Sequence, residues 1–311
     1  MQITLPRPAQ ISTNVRFALH ALANGIALRA SALFTPVLAG AWAERMFLTP
    51  PRPRQEPSAF FDFLDARSSF VVHRGRYIAS WRWGPVDAPA VLLVHGWGGR
   101  ASQMRGFVAP LLAAGYRVVA YDQPAHGLSE GRLTGLPDFA RVLGAVARHH
   151  GGVRAVIAHS LGAAAAAVAV AHGLHVERAV LVGTPSDFVD YTRRFARWHW
   201  MPERVRRIMQ SAIEERFGVR MADLEIERLA PQLRIPALLI HDRRDPVSPW
   251  KQGAGIARAW SGARLLTTEG LGHGRILESD EAQRSAVDFI TGRSAVAAPA
   301  LPTLPNPAPL Y

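Results

Sequence analysis

The stretch Val153-Arg-Ala-Val-Ile-Ala-His-Ser-Leu-Gly162 decides how this chain is read. Its apolar part, Val153 to Ile157, has the length and β-branched content of a buried strand, expected to run to Ala158. An alanine-rich run from Leu161 to His172 follows at once and reads as a helix. Ser160 therefore falls on the turn between strand and helix. At such a sharp turn a hydroxyl is pushed clear of the backbone, where it can act as a nucleophile. The pentapeptide Ala158–Gly162 carries little weight alone. Its meaning depends on whether a base, an acid and an oxyanion site stand in matching places.

Around this turn the sequence alternates between strand and helix patterns. Ser69–Arg74 and Tyr77–Trp83 read as a hairpin about Gly75. Strand patterns follow at Ala90–Val94, Arg117–Tyr121, Val176–Val182, Ala237–Ile240 and Arg264–Thr267. Helices are expected at Gln103–Ala114, Leu136–His150, after Trp250, and at Asp280–Ile290. The alternation argues for an α/β fold with a mostly parallel sheet covered by helices on both faces. Between Phe188 and about Leu229 it stops. That stretch reads as helical, holds six arginines between Arg193 and Arg207, and is too long for an ordinary strand-to-helix loop. It is read as a helical cap insertion. Trp198, Trp200 and Met201 are candidates for a substrate pocket there, and the same side chains can equally serve to pack the insertion. The arginines at its start raise the expectation of a carboxylate or phosphate on the substrate, away from the scissile bond.

The expected organisation has five parts: an N-terminal helical extension with a proline-rich connector (1–57), a first part of the core (58–186), the cap (187–230), a second part of the core (231–293) and a flexible tail (294–311). In the extension, Phe17, Leu22, Ile26 and Leu33 give an approximate apolar face, and Pro36 should break or kink the helix. A helix packed on the main body, or one lying on a membrane surface, both fit. Ala39-Gly-Ala-Trp-Ala43 faintly resembles a signal-cleavage site, which makes secretion the lesser expectation beside a cytoplasmic location.

Composition bounds the function. The chain of 311 residues is 49% hydrophobic and holds no cysteine, so disulfides, thiolate chemistry and Cys-ligated metals are excluded. No apolar run reaches the length of a membrane span. The net charge is +12, carried by arginines with a single lysine, Lys251. These arginines are scattered, and no glycine-aromatic or zinc-finger pattern accompanies them, so no nucleic-acid partner is expected. Asp122 and His126 lie in one loop, Asp122-Gln-Pro-Ala-His-Gly-Leu-Ser129, but no ligand set at useful spacing joins them, and no metal is expected. The glycines of His95-Gly-Trp-Gly-Gly99 are not followed by Gly-Lys-Ser/Thr, and a dinucleotide fingerprint is also missing. The reading calls for no cofactor.

His273, in Gly270-Leu-Gly-His-Gly274, lies between the last expected strand and the final helix and is the candidate base. Asp245, in His241-Asp-Arg-Arg-Asp-Pro-Val247, lies just beyond an expected strand and is the candidate to orient the imidazole. Asp242 and Asp187 are rivals that can otherwise serve as loop or helix-capping residues. The backbone N–H groups of Trp97 and Leu161 are the candidate oxyanion donors, and the Trp97 side chain is a further pocket candidate. His95 is read as a brace for its loop.

Together these residues resemble the α/β-hydrolase superfamily, from about Ser69 to Ile290. His95–Gly99 is similar to its oxyanion loop, Ala158–Gly162 to its nucleophile elbow, and Asp245 and His273 to its acid and base positions. Ala158 departs from the family's usual glycine by one methyl group. The resemblance implies a serine hydrolase with the triad Ser160, Asp245, His273. The leading expectation is carboxylic-ester hydrolysis of a small-molecule acyl substrate through an acyl-enzyme. Thioesterase, lactonase, amidase, membrane-peripheral lipase and non-catalytic binding protein are the alternatives.

Overall fold

Ala90–Val94 and Arg117–Tyr121 form strands in which every residue is buried, so their apolar runs answer to two covering layers rather than one. The structure, a computed structural model, describes residues 24–51 and 65–293. The expected lead-in, most of the proline connector and the tail lie outside the described residues, as do Phe17 and Leu22.

In chain order the helices and strands are α1 (24–34) and α2 (Pro36–Leu48), β1 (Arg67–His73), β2 (Arg76–Trp83), β3 (Ala90–Val94), α3 (Val108–Ala113), β4 (Arg117–Tyr121) and α4 (Leu136–His149). Then come β5 (Ala155–His159), α5 (Leu161–Ala171), β6 (Arg178–Val182), α6 (Phe188–Trp198), α7 (Glu203–Phe217) and α8 (Ile226–Leu229). The chain ends with β7 (Ala237–Asp242), α9 (Trp250–Ala259), β8 (Ala263–Thr268), α10 (Gly272–Arg275) and α11 (Asp280–Thr291). The described residues form two compact units, one of 24–49 with Asp187–Leu224, the other of the remaining described residues.

The larger unit is built on an eight-stranded sheet in the order β1-β2-β4-β3-β5-β6-β7-β8. β1 and β2 pair antiparallel around a turn in which Arg74 (φ 50°) and Gly75 (φ 72°) are both left-handed, as a two-residue hairpin requires. β2 runs antiparallel to β4, and every other pair is parallel. One face carries Val91, Leu93, Ile157, Val180 and Ile240 against Phe107, Leu111 and Phe289 of the helical layer. The chain leaves β3 for β4 on one side and returns to β5 on the other, so the loops after β3 and β5 meet where the strand order reverses. Crevices in open α/β sheets form at that place. α5 is apolar all round and buried from Gly162 to Ala169, which anchors the first turn of that helix.

Two expected strands start later than their apolar runs do, at Ala155 and Arg178. The expected helix Gln103–Ala114 is instead a 3₁₀ segment, Ala101–Phe107, that passes into α3. Pro110 lacks the N–H that would bond back to the Gly106 carbonyl, so a regular helix cannot run through both.

The smaller unit joins the N-terminal helices to the insertion. Pro36 breaks the helix by opening a new one: it sits in the first turn of α2, where a missing N–H costs nothing. α2 packs on α7. The contact is made by small residues: a Cβ placed on Gly40 would meet Ile208 Cγ2 at 2.3 Å and Ile208 Cβ at 2.8 Å. Ala39, Gly40 and Ala43 are thus the buried face of a helix. Glu44 is buried on the same face and pairs with Arg216. Ile26 and Leu33, expected on the apolar face of α1, are exposed, and Gly25 and Leu28 are buried. A Cβ on Gly25 would lie 2.5 Å from the His199 carbonyl oxygen, so the inner face is set by close backbone approach rather than by the largest side chains. The insertion's contribution to this unit ends at Leu224, short of the expected boundary at 230, and α8 belongs with the sheet. Among the described residues no helix is long and apolar enough to cross a membrane.

Gly40→Ala should destabilise the protein by about 1–3 kcal/mol through overpacking, despite the better helix propensity of alanine. Urea denaturation of G40A, I208A and the double variant checks this. G40A alone should lower the midpoint, and I208A should remove most of the added penalty.

Candidate active site

Ser160 carries φ 53° and ψ −126°, a conformation that costs an L-residue about 1–3 kcal/mol. The turn is held from three sides. The Ser160 N–H donates to the Val182 carbonyl at 2.8 Å, and the Ser160 carbonyl accepts from Ala163 and Ala164 at 2.9 and 3.1 Å. On the third side stands Gly96, where an added Cβ would lie 2.8 Å from the Ser160 Cβ. Gly162 meets the same limit, because a Cβ there would come within 2.3 Å of the His95 carbonyl oxygen. Ala158 is fully buried at the end of β5, and the turn forms with its methyl group in place.

His273 lies at the start of α10, in the loop after β8, and Asp245 in the loop after β7. Ser160 Oγ donates to His273 Nε2 at 2.8 Å, and His273 Nδ1 donates to Asp245 Oδ2 at 2.6 Å. The other Asp245 oxygen accepts the Val247 and Ser248 amides at 2.8 and 2.9 Å. Burial pushes the Asp245 carboxyl up, but the bond and charge of His273 and these amides outweigh it and hold the group below the usual carboxylate range. The Asp245 side chain is 1% exposed, whereas His273 keeps 15% of its surface exposed.

The rivals have other tasks. Asp242 accepts the Arg244 amide on one oxygen, and the Thr268 hydroxyl and Leu271 amide on the other, tying the loop after β7 to the loop after β8. Asp187 caps α6 by accepting the Asp190 amide at 2.8 Å.

The N–H groups of Trp97 and Leu161 donate to no acceptor among the described residues, so both are available to a ligand oxygen. The loop that carries Trp97 is braced by two histidines. His95 accepts the Gln123 amide on Nε2 at 2.8 Å, which puts its proton on Nδ1, donated to the Gly96 carbonyl at 2.7 Å. Burial lowers its pKa to about 3. His126 likewise accepts the Gly98 amide and donates to the Pro124 carbonyl, both at 2.9 Å. Asp122 is pushed up to about 6 by burial, and its two oxygens take the Ala101 and Leu128 amides. The pair that invited a metal reading thus shapes the loop.

Of the pocket candidates, Trp97 lies in the larger unit, and Trp198, Trp200 and Met201 lie in the smaller. Trp97 is half-buried and stacks on Phe139 at 6.3 Å. Trp200 and Met201 line a groove of about 520 Å³ in the smaller unit with Arg29, Arg193, Arg197 and Glu203, and Trp198 is not in its lining. Of the six arginines at the start of the insertion, Arg206 is buried and bonded to Glu203, Gln210 and Thr192.

The fold has a counterpart in family comparisons. A family model described as alpha/beta hydrolase fold matches residues 89–226, and one described as TAP-like protein continues over 222–293. The chain belongs to the α/β-hydrolase superfamily. Esterase Pf2001 of Pyrococcus furiosus is 20% identical with a TM-score of 0.61, over 78% of this chain and 98% of that one. The enol-lactonase of Burkholderia xenovorans is 20% identical with a TM-score of 0.56, over 72% and 100%. The thioesterase domain of the curacin biosynthetic pathway is 16% identical with a TM-score of 0.53, over 73% and 99%. These likenesses concern the fold. A curated relative, the magnesium-chelatase 30 kDa subunit of Rhodobacter capsulatus, is 39% identical over 87 residues, 27% of this chain and only 30% of that protein.

Two residues of this hydrolase fold escaped the sequence reading. His159, beside the elbow serine, donates from Nε2 to the His273 carbonyl at 2.9 Å and is held neutral by burial, its pKa lowered to about 3. Gly183 (φ 59°) follows β6, and a Cβ there would press within 3.3 Å of the His273 ring and 3.5 Å of Asp245 Oδ2. A glycine directly after a strand that neighbours the elbow was the available signal. Nothing in the sequence marks His159 as a donor.

The buried histidines fix an acid response. His95 and His159 drop from 6.5 to about 3 on folding, so each contributes stability that is full above pH 6.5 and is lost as pH falls toward 3. On unfolding these two rings should together take up about two protons across that window, each costing at most about 1.4 kcal/mol per pH unit. Chemical denaturation at stepped pH measures the slope, and His159→Gln should reduce the uptake by one.

Proposed function

We propose that this α/β-hydrolase is a serine hydrolase that cleaves carboxylic esters of small molecules through an acyl-enzyme. The observation that carries the reading is the hydrogen-bonded series Asp245–His273–Ser160. In this reading Ser160 Oγ attacks the carbonyl carbon as His273 Nε2 takes its proton. The electron pair of the carbonyl moves to oxygen, and the Trp97 and Leu161 amides receive the oxyanion. Collapse of the tetrahedral adduct breaks the bond to the alkoxide, which leaves with the proton from His273. Water then repeats the sequence on the acyl-enzyme, returning the serine and a carboxylic acid. Asp245 holds the tautomer and stabilises the imidazolium. Trp97, half-buried beside the oxyanion amide, is assigned to the pocket wall.

The same steps serve thioesters, lactones and amides, which differ in the leaving group. The names of structurally similar proteins span an esterase, an enol-lactonase and a thioesterase domain. A serine at this position argues against haloalkane displacement, which needs a carboxylate there to form a cleavable ester.

A fluorophosphonate probe should label the folded wild type and leave Ser160→Ala unlabelled. Labelling retained in S160A, or none in the wild type, overturns the reading. On a panel of esters, thioesters, lactones and amides, His273→Ala and Asp245→Asn should lower kcat by on the order of 10³–10⁴. Asp242→Asn should keep kcat within about tenfold, and a loss equal to that of D245N would instead mark Asp242 as the acid.

A further inference from the structure

We infer that the outward face of α1 and α2 docks on an anionic lipid surface. The proposal rests on surface chemistry and is independent of the hydrolase reading. Water-facing helices normally turn charged residues outward and apolar ones inward, and here the order is reversed. The exposed positions of α1 are 26, 27, 29, 30, 33 and 34, and those of α2 are 37, 38, 41, 42 and 45. All are apolar except Arg29 and Arg45. Leu33, Phe34, Val37 and Leu38 each keep between 66% and 84% of their surface exposed, joined by Ile26 and Trp42. The one carboxylate between residues 24 and 49, Glu44, is buried on the opposite face with Arg216.

Exposed large apolar side chains concentrated on two consecutive helices mark an interaction surface. Charge chooses the occupant. The patch carries cations toward its two ends and no exposed acid, on a chain of net charge +12. A second copy of the same face would bring arginines toward arginines. A bilayer with acidic headgroups receives both features at once, with side chains in the acyl boundary and Arg29, Arg45 and the Trp42 ring at headgroup depth. α2, at 13 residues, is too short to span a membrane, so the helix lies in the interface plane. Arg29 is already positioned, since its Nε donates to the Trp200 carbonyl at 2.8 Å.

The test is flotation of the full chain with vesicles of phosphatidylcholine, with or without phosphatidylglycerol. The wild type should float with the anionic vesicles and bind neutral ones several-fold less. F34S/L38S/W42S, which touches only exposed positions, should cut the bound fraction about tenfold or more while its melting curve stays that of the wild type. Should that variant misfold, quenching of tryptophan emission by brominated lipid serves instead: present in the wild type and much reduced in W42F. The proposal is overturned if the wild type stays with neither vesicle, if it binds both equally, or if the triple variant floats as the wild type does. It is equally overturned if the wild type is a dimer that the triple variant dissociates, with no flotation, because a second copy then covers the face.

Discussion

Ser160 sits in a backbone conformation that it would leave if its surroundings allowed. The surroundings do not, because three elements converge within a methyl group of it. The Gly96 loop stands where a Cβ would touch the serine, Gly162 lies against the His95 carbonyl, and β6 takes the Ser160 amide. A strain of about 1–3 kcal/mol is small beside the burial of α5 and the central strands, so the core holds it without difficulty. The consequence is geometric. The hydroxyl leaves the strand on the side where the loops after β7 and β8 deliver Asp245 and His273, and the two undonated amides of Trp97 and Leu161 adjoin the same turn.

Around that point the histidines divide into two kinds. His95 and His159 are buried, lowered to about 3, and each has a donor nitrogen identified by its carbonyl partner. They act as fixed hydrogen-bond struts, and charging either would cost the folded state. His273 differs by facing solvent on one side and the ionised Asp245 on the other. An imidazolium formed there is stabilised by the carboxylate, whereas one formed at His95 or His159 has burial against it. The contrast in environment separates a ring suited to accept a proton from rings suited to hold a loop.

Much of this was legible in sequence, for reasons that differ by residue. β3 and β4 were read at their true ends because short, wholly apolar runs bounded by turn residues have few other uses. Ser160, Asp245 and His273 were readable because each follows a strand, and parallel strands send such residues to one edge. Asp245 and Asp242 could not be separated by order alone. Their difference lies in which oxygens are already occupied by amides and hydroxyls, a property of the folded loop. His159 was illegible for the same reason: it acts on a residue 114 positions away. The 3₁₀ start before α3 lay below the resolution of a periodicity reading, although Pro110 carried the cause.

The apolar face read on α1 is the outer face of the helix, for an instructive reason. Periodicity identifies a stripe of large side chains and assumes that burial follows size. In the smaller unit, close packing is done by Gly25, Ala39, Gly40 and Ala43, and such residues bring helices near without filling a wide core. Helices packed that way leave Leu33, Phe34, Val37 and Leu38 on the far side, while Glu44, the single carboxylate of α1 and α2, is drawn inside to meet Arg216. Arg216 keeps 44% of its side chain exposed, so Glu44 alone loses its water, a cost that the pairing offsets without adding much stability over an apolar contact. Were the outer face meant for water, moving Glu44 outward and Leu38 inward would improve the helix on both counts. The sequence does the reverse along both helices, so the environment to which α1 and α2 are fitted has to be one in which leucine and phenylalanine outside are favourable and a carboxylate outside is not.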